Sequence, residues 1–168
     1  QFGYNYTNTG SVLGKVTNVT ANGLLSDTND VRNQNGLTPL KLNTKLTQAA
    51  EMKAQDMIDK GYWSHISPTG TEPWYWVDQS GYSYQEAGEN LAKNFSNSKA
   101  TIDAWMNSQT HRDNILKSAY SDVGFAVKSG EMDGQPITII VALYAVPSAT
   151  MVAGTSTAKS THVSDNNY

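Results

Sequence analysis

The apolar positions of this chain keep a helical period in the first two thirds and a strand period in the last. Leu24, Leu25, Val31 and Leu37 predict a short first helix. Asn35-Gly36 is a residue pair suited to stop it. Pro39 then breaks the chain before Leu40. The clearest helix is predicted from about Asn43 to Lys60, where Leu46, Ala49, Ala50, Lys53, Met57 and Ile58 recur at three- and four-residue steps and their apolar members form one stripe. Asn43 or Thr44 can cap its start, and Gly61 can end it in a left-handed turn. Glu72-Pro73-Trp74 opens a short helix that stops at Ser80-Gly81. Ser96, Asn97 or Ser98 can cap another, containing Ile102, Trp105 and Met106, and a shorter one is expected after His111 through Ile115 and Leu116. The period then changes. Val123, Phe125 and Val127 alternate as in a half-buried strand, Met132-Asp133-Gly134 signals a hairpin, and Ile137 to Ala145 is a continuous run that reads as a buried strand. Helices first and strands last predict an α+β fold, with helices packed on a small antiparallel sheet.

The two ends lack this patterning. Residues 1–23 are rich in Asn, Thr and Gly and read as an arm, with Phe2, Tyr4 and Tyr6 able to pack on the body. Residues 147–168 read as a Ser/Thr-rich tail, which leaves one domain over 24–146. The net charge of −3 argues against nucleic acid or an anionic membrane surface as the main partner. No run of about 18 apolar residues predicts a transmembrane helix. The chain begins at Gln1 without a basic and apolar leader, and is read as an exported protein whose targeting segment has been removed. Cysteine is absent, which excludes disulfides, thiolate-bound zinc and a cysteine nucleophile.

Candidate chemistry rests on the only two histidines of the predicted body. His65 lies in Ser64-His65-Ile66-Ser67-Pro68, just beyond the long helix; His111 lies in Gln109-Thr110-His111-Arg112-Asp113. Between them Gly88-Glu89-Asn90 reads as a loop tripeptide that supplies a carboxylate. Taken singly, each is more often a satisfied surface residue than a functional one. No His-Glu-x-x-His helix is present. His111-Arg112-Asp113 is like a kinase catalytic loop in three letters only, since Ser118 stands where its asparagine is due. Ser64, Ser67 or Ser108 could be the nucleophile of a Ser-His-acid triad, but no Gly-x-Ser-x-Gly elbow supports one. The four tryptophans read as packing. In Trp74-Tyr75-Trp76 the adjacent rings cannot all face inward, so at least one is expected near the surface.

Taken in order, the segments Asn29-Asp30-Val31-Arg32, Gly36-Leu37-Thr38-Pro39-Leu40, Ser64-His65-Ile66-Ser67-Pro68-Thr69-Gly70, Gly88-Glu89-Asn90-Leu91-Ala92, Trp105-Met106-Asn107-Ser108, His111-Arg112-Asp113-Asn114-Ile115-Leu116 and Tyr120-Ser121-Asp122-Val123-Gly124 resemble the CAP superfamily. That superfamily unites cysteine-rich secretory, antigen 5 and pathogenesis-related group 1 proteins, and its domain is also called SCP. The likeness covers about residues 24–146 and looks closest to the cysteine-free bacterial branch. It implies a three-layer α-β-α sandwich, secretion or surface display, and a central cleft lined by two histidines and two acids. His65 and His111 match the histidines and Glu89 one acid. The second acid's place is Ser108, for which Asp113 or Glu86 could stand in. The resemblance thus implies a divalent metal such as zinc on His65 and His111, with Glu89 a third ligand, held more weakly for want of the second carboxylate. It also implies a binding module for an extracellular lipid, peptide or cell-wall component. The alternative is a metal-assisted hydrolase in which Glu89 acts as general base and His65 and His111 hold the metal or stabilise an oxyanion. The binding module is preferred, because no nucleophile-plus-base signature is present. A purely structural role for the His–Glu contacts is the third reading.

Overall fold

A computed structural model describes residues 17–149 and 161–162. The aromatic arm expected at Phe2, Tyr4 and Tyr6 and most of the Ser/Thr-rich tail lie outside these described residues. The predicted helices form where their caps allow. In α1 (Ala21–Gln34) the Thr20 hydroxyl accepts from the Gly23 amide, and Gly36 takes the positive φ of 71° that reverses the chain after it. In α2 (Thr44–Lys60) Asn43 Oδ1 accepts from the Lys45 and Leu46 amides, and Gly61 closes the end at φ 64°. Each such cap contributes about 1 kcal/mol. Helix α3 (Pro73–Gln79) starts on its proline, and α4 (Ser98–Met106) starts with Asn97 Oδ1 accepting from Ala100. Helix α5 spans Gln109–Leu116.

The sheet has the order β1-β3-β4-β2-β5. Its strands are β1 (Lys41–Leu42), β2 (Tyr84–Lys93), β3 (Asp122–Met132), β4 (Gln135–Pro147) and β5 (Thr161–His162). β3 and β4 form the predicted hairpin, and β2 pairs antiparallel with the other edge of β4. β4 is therefore central, and its run from Ile137 to Ala145 is buried throughout. Alternate residues feed two separate cores. Ala126, Ile139, Val141 and Leu143 face α2 and α3, together with Leu46, Ala50, Met57 and Trp74. Val123, Phe125, Ile140, Ala142 and Tyr144 face the opposite layer, with Leu24, Ile102, Trp105 and Ile115. Two cores on two faces of one sheet make the expected α-β-α sandwich.

Two local expectations are corrected. Gly88-Glu89-Asn90 is not a loop: it is the centre of β2, with Glu89 opposite Leu143 and Asn90 opposite Ala142. Gly, Glu, Asn and Ala have poor strand propensity, but β4 would otherwise carry an unpaired buried edge, and pairing overrides composition. Helix α5 begins before His111 rather than after it, so His111 sits in its first turn.

Candidate functional site

The pleat of β2 sends neighbouring residues to opposite layers. Ala87 and Leu91 belong to the core under α2, which puts Glu89 on that side of the sheet. There Glu89 meets the irregular segment after α2: its Oε1 lies 2.6 Å from His65 Nδ1. The carboxylate side chain is only 2% exposed, and its Oε2 has no hydrogen-bond partner. An ionised carboxylate can only accept, so opposite one His65 Nδ1 is the donor. Asn90 points the other way and is fully buried. Its Nδ2 donates to the His111 carbonyl at 3.0 Å, while Asn114 Nδ2 donates to Asn90 Oδ1 at 2.8 Å and to the Glu89 carbonyl at 3.2 Å. This amide pair fastens α5 to β2. Gly88 lets them approach, since a Cβ there would lie 2.6 Å from both Asn114 Oδ1 and the Tyr120 hydroxyl.

His111 is thereby carried to the site from the other layer. Its Nδ1 is 2.7 Å from Ser108 Oγ, one helical turn earlier. Ser108 occupies the N-cap position of α5, but its hydroxyl makes no cap bond. A hydroxyl can donate or accept, so unlike Glu89 it leaves the tautomer of its histidine open. Burial pulls the His111 imidazole below the ordinary histidine range, and the nearby His65 ring pulls it the same way. Each of the two rings thus has its Nδ1 tied back and an Nε2 that takes no partner among the described residues.

A stability prediction follows from His111. Below 6.5, its ordinary value, the unfolded chain binds a proton that the folded ring resists. This contribution is complete above 6.5 and is lost as pH falls below it. Urea unfolding at about pH 7.5 and about pH 5 should show the drop, and His111→Gln should reduce it. An identical drop in the variant would remove His111 as its source.

Other sequence candidates are placed elsewhere. Glu86 pairs with Lys117, and Asp113 is exposed. Ser108 touches His111 through Nδ1, and among the described residues no carboxylate hydrogen-bonds that ring, the wrong arrangement for a Ser-His-acid triad. Of Trp74-Tyr75-Trp76, Trp74 is buried and Tyr75 is 48% exposed, as expected of adjacent rings. Glu89 Oε1 stands behind His65 and orients its ring, while Oε2 is left without a hydrogen-bond partner. Among the described residues no three His, Cys, Asp or Glu side chains form a group that could hold a metal ion.

One contributor was not recognised in the sequence. Lys53 interrupts the apolar stripe of α2, and in the fold it is fully buried. Its Nζ donates to the carbonyls of His65 (2.7 Å) and Ser64 (3.0 Å) and to the Tyr62 hydroxyl (3.1 Å). Tyr62 in turn donates to Asp56 Oδ2 at 2.7 Å. A lysine at a core-facing helical position was the available signal.

The cysteine-rich secretory protein (CAP) family matches residues 25–144, most of the chain. This chain belongs to that family. The uncharacterized protein YkwD of Bacillus subtilis is 42% identical over 106 residues, covering 62% of this chain and 41% of that protein. The uncharacterized membrane protein YlbC of the same organism is 29% identical over 113 residues, covering 67% of this chain and 33% of its own length. The CAP chain thus spans less than half of these relatives. Among solved structures, an extracellular SCP-domain protein of Bacillus anthracis is 27% identical with a TM-score of 0.62, covering 74% of this chain and 41% of that one. An outer surface protein of Borrelia burgdorferi shares the fold at a TM-score of 0.64 and 20% identity, covering 74% and 90%. The absence of cysteine fits the bacterial branch of CAP proteins. No described helix is long and apolar enough to cross a membrane.

Proposed function

We propose that this CAP domain is a binding module displayed outside the cell, and that it holds a cell-envelope component in the cleft between His65 and His111. The observation that carries this reading is the pair of imidazoles drawn from opposite layers, each anchored through Nδ1 and each offering Nε2. Such rings recognise donors and acceptors on a ligand, and no nucleophile among the described residues touches either Nε2. Extracellular and surface proteins among the structural neighbours support the location. The metal-assisted hydrolase is the weaker reading, because the described residues supply two nitrogens where three ligands are usual.

Co-sedimentation with purified peptidoglycan sacculi tests the proposal. The wild-type protein should bind, and His65→Ala/His111→Ala should bind at least about tenfold more weakly, a difference of about 1.4 kcal/mol. Equal binding by the double variant would dismiss the cleft. In parallel, calorimetric titration of Zn²⁺ should give affinity weaker than roughly 10 μM. Tighter binding that is lost in the double variant would revive the hydrolase.

A further inference from the structure

We infer that Lys53 is the positioning residue of this cleft: it holds the main chain of Ser64 and His65 so that the His65 ring meets Glu89. The inference rests on the proposed cleft and goes beyond it by assigning its geometry to a residue outside it. The segment carrying His65 is neither helix nor strand, so no ladder satisfies its carbonyls. Lys53 does so for two successive residues with one ammonium, from a helix whose backbone is rigidly packed against β3 and β4. Its third bond goes to Tyr62, which begins the same segment, and Tyr62 is tied back to α2 through Asp56. Asp56 is itself paired with Lys60 at 2.7 Å, one turn further along α2. The chain Lys60–Asp56–Tyr62–Lys53 therefore spans the last two turns of α2 and fastens the segment at Tyr62, Ser64 and His65.

The charges agree with this placement. Burial lowers the Lys53 pKa, and the charges of Glu89 and Asp56 oppose that pull. Burial and the Asp56 hydrogen bond raise the Tyr62 phenol, which stays a neutral donor. All three Lys53 donors are consumed by protein groups. Lys53 thus acts on the cleft through His65 and offers nothing to a ligand directly. A hydrophobic residue of equal length would complete the apolar stripe of α2 but leave both carbonyls without a donor.

Exchange of the His65 Nδ1 proton, read by NMR in the full chain, reports the Glu89 contact directly and needs no ligand. Lys53→Met should speed that exchange at least about tenfold, with the His111 ring and the β3–β4 amides unchanged. Tyr62→Phe, which keeps the packing and the lysine, should give a smaller acceleration, again confined to His65. Unchanged exchange in Lys53→Met would overturn the assignment. So would equal acceleration at His111, because that reports general loosening. If Lys53→Met does not fold, Tyr62→Phe decides, and no effect at His65 overturns the assignment. Failure of the wild-type protein to bind sacculi would refute the proposed function, while the exchange result would still judge Lys53.

Discussion

Gly124→Ala is expected to destabilise the protein by at least about 4 kcal/mol, among the largest losses a single methyl group can cause. Gly124 lies on β3 where α2 crosses it. A Cβ at this position would fall on the Leu46 carbonyl group and the Thr47 amide nitrogen, far inside contact distance. Those atoms are main chain in the first turn of a helix, so they cannot swing aside as a side chain would. Either α2 lifts off the sheet or β3 bends away, and both open the core formed by Leu46, Ala50, Val141 and Leu143. The φ of Gly124 is not positive, so the glycine is needed for space and not for backbone freedom. Thermal unfolding followed by circular dichroism should show a fall of roughly 10 °C or more. A loss below about 1 kcal/mol would mean that α2 and β3 are not in backbone contact.

Arg32→Met is expected to cost about 3–5 kcal/mol. The guanidinium is fully buried, and among the described residues it pairs with no carboxylate. It donates instead to four main-chain carbonyls: Thr38 at 2.9 Å, Ile115 at 2.8 Å, Lys117 at 3.0 Å and Tyr120 at 3.2 Å. Two of these lie at the C-terminal end of α5 and just beyond it, where helix carbonyls lack partners and a cation is favoured. One side chain thus joins α1, the turn before β1, the end of α5 and the entry to β3. Methionine would fill the volume and strand the carbonyls. Lysine should recover only part of the loss, because an ammonium cannot reproduce the planar fork. Urea midpoints of the two variants measure this directly. Equal stability of Arg32→Met and wild type would show that solvent replaces the guanidinium.

The same residues show how far the sequence could be read. Helices α1 to α4 were legible to within a few residues, because their boundaries are set by local chemistry: Asn43 and Asn97 as caps, Pro73 at a first position, Gly36 and Gly61 at left-handed ends. The β3–β4 hairpin was legible from Asp133-Gly134 and the apolar run after it. His65, Glu89 and His111 were singled out as a candidate cluster and then matched to the family's cleft, and the fold brings His65 onto Glu89. Arg32 and Gly124 stood in the quoted motifs without any sign of what they do. The partner of each is remote in the chain and has no period to betray it: Ile115 for Arg32, and Leu46 for Gly124.

What the sequence determined alone is the set of local helices, the β3–β4 hairpin and the family. The elements follow from interactions between residues a few positions apart, and the family from the order of the motifs along the chain. Tertiary structure alone decided that Gly88-Glu89-Asn90 becomes part of a strand and not a loop, because β4 needs a partner along its second edge. It decided that Glu89 backs His65 while Asn90, one residue on, anchors the His111 helix, because a pleat sends neighbours to opposite layers. It also decided that Ser108 rather than a carboxylate holds His111, and that a lysine in an apolar stripe fastens the His65 segment. Most of these contacts join residues far apart in the chain, and only the packed sheet brings the two layers of the cleft within reach of each other.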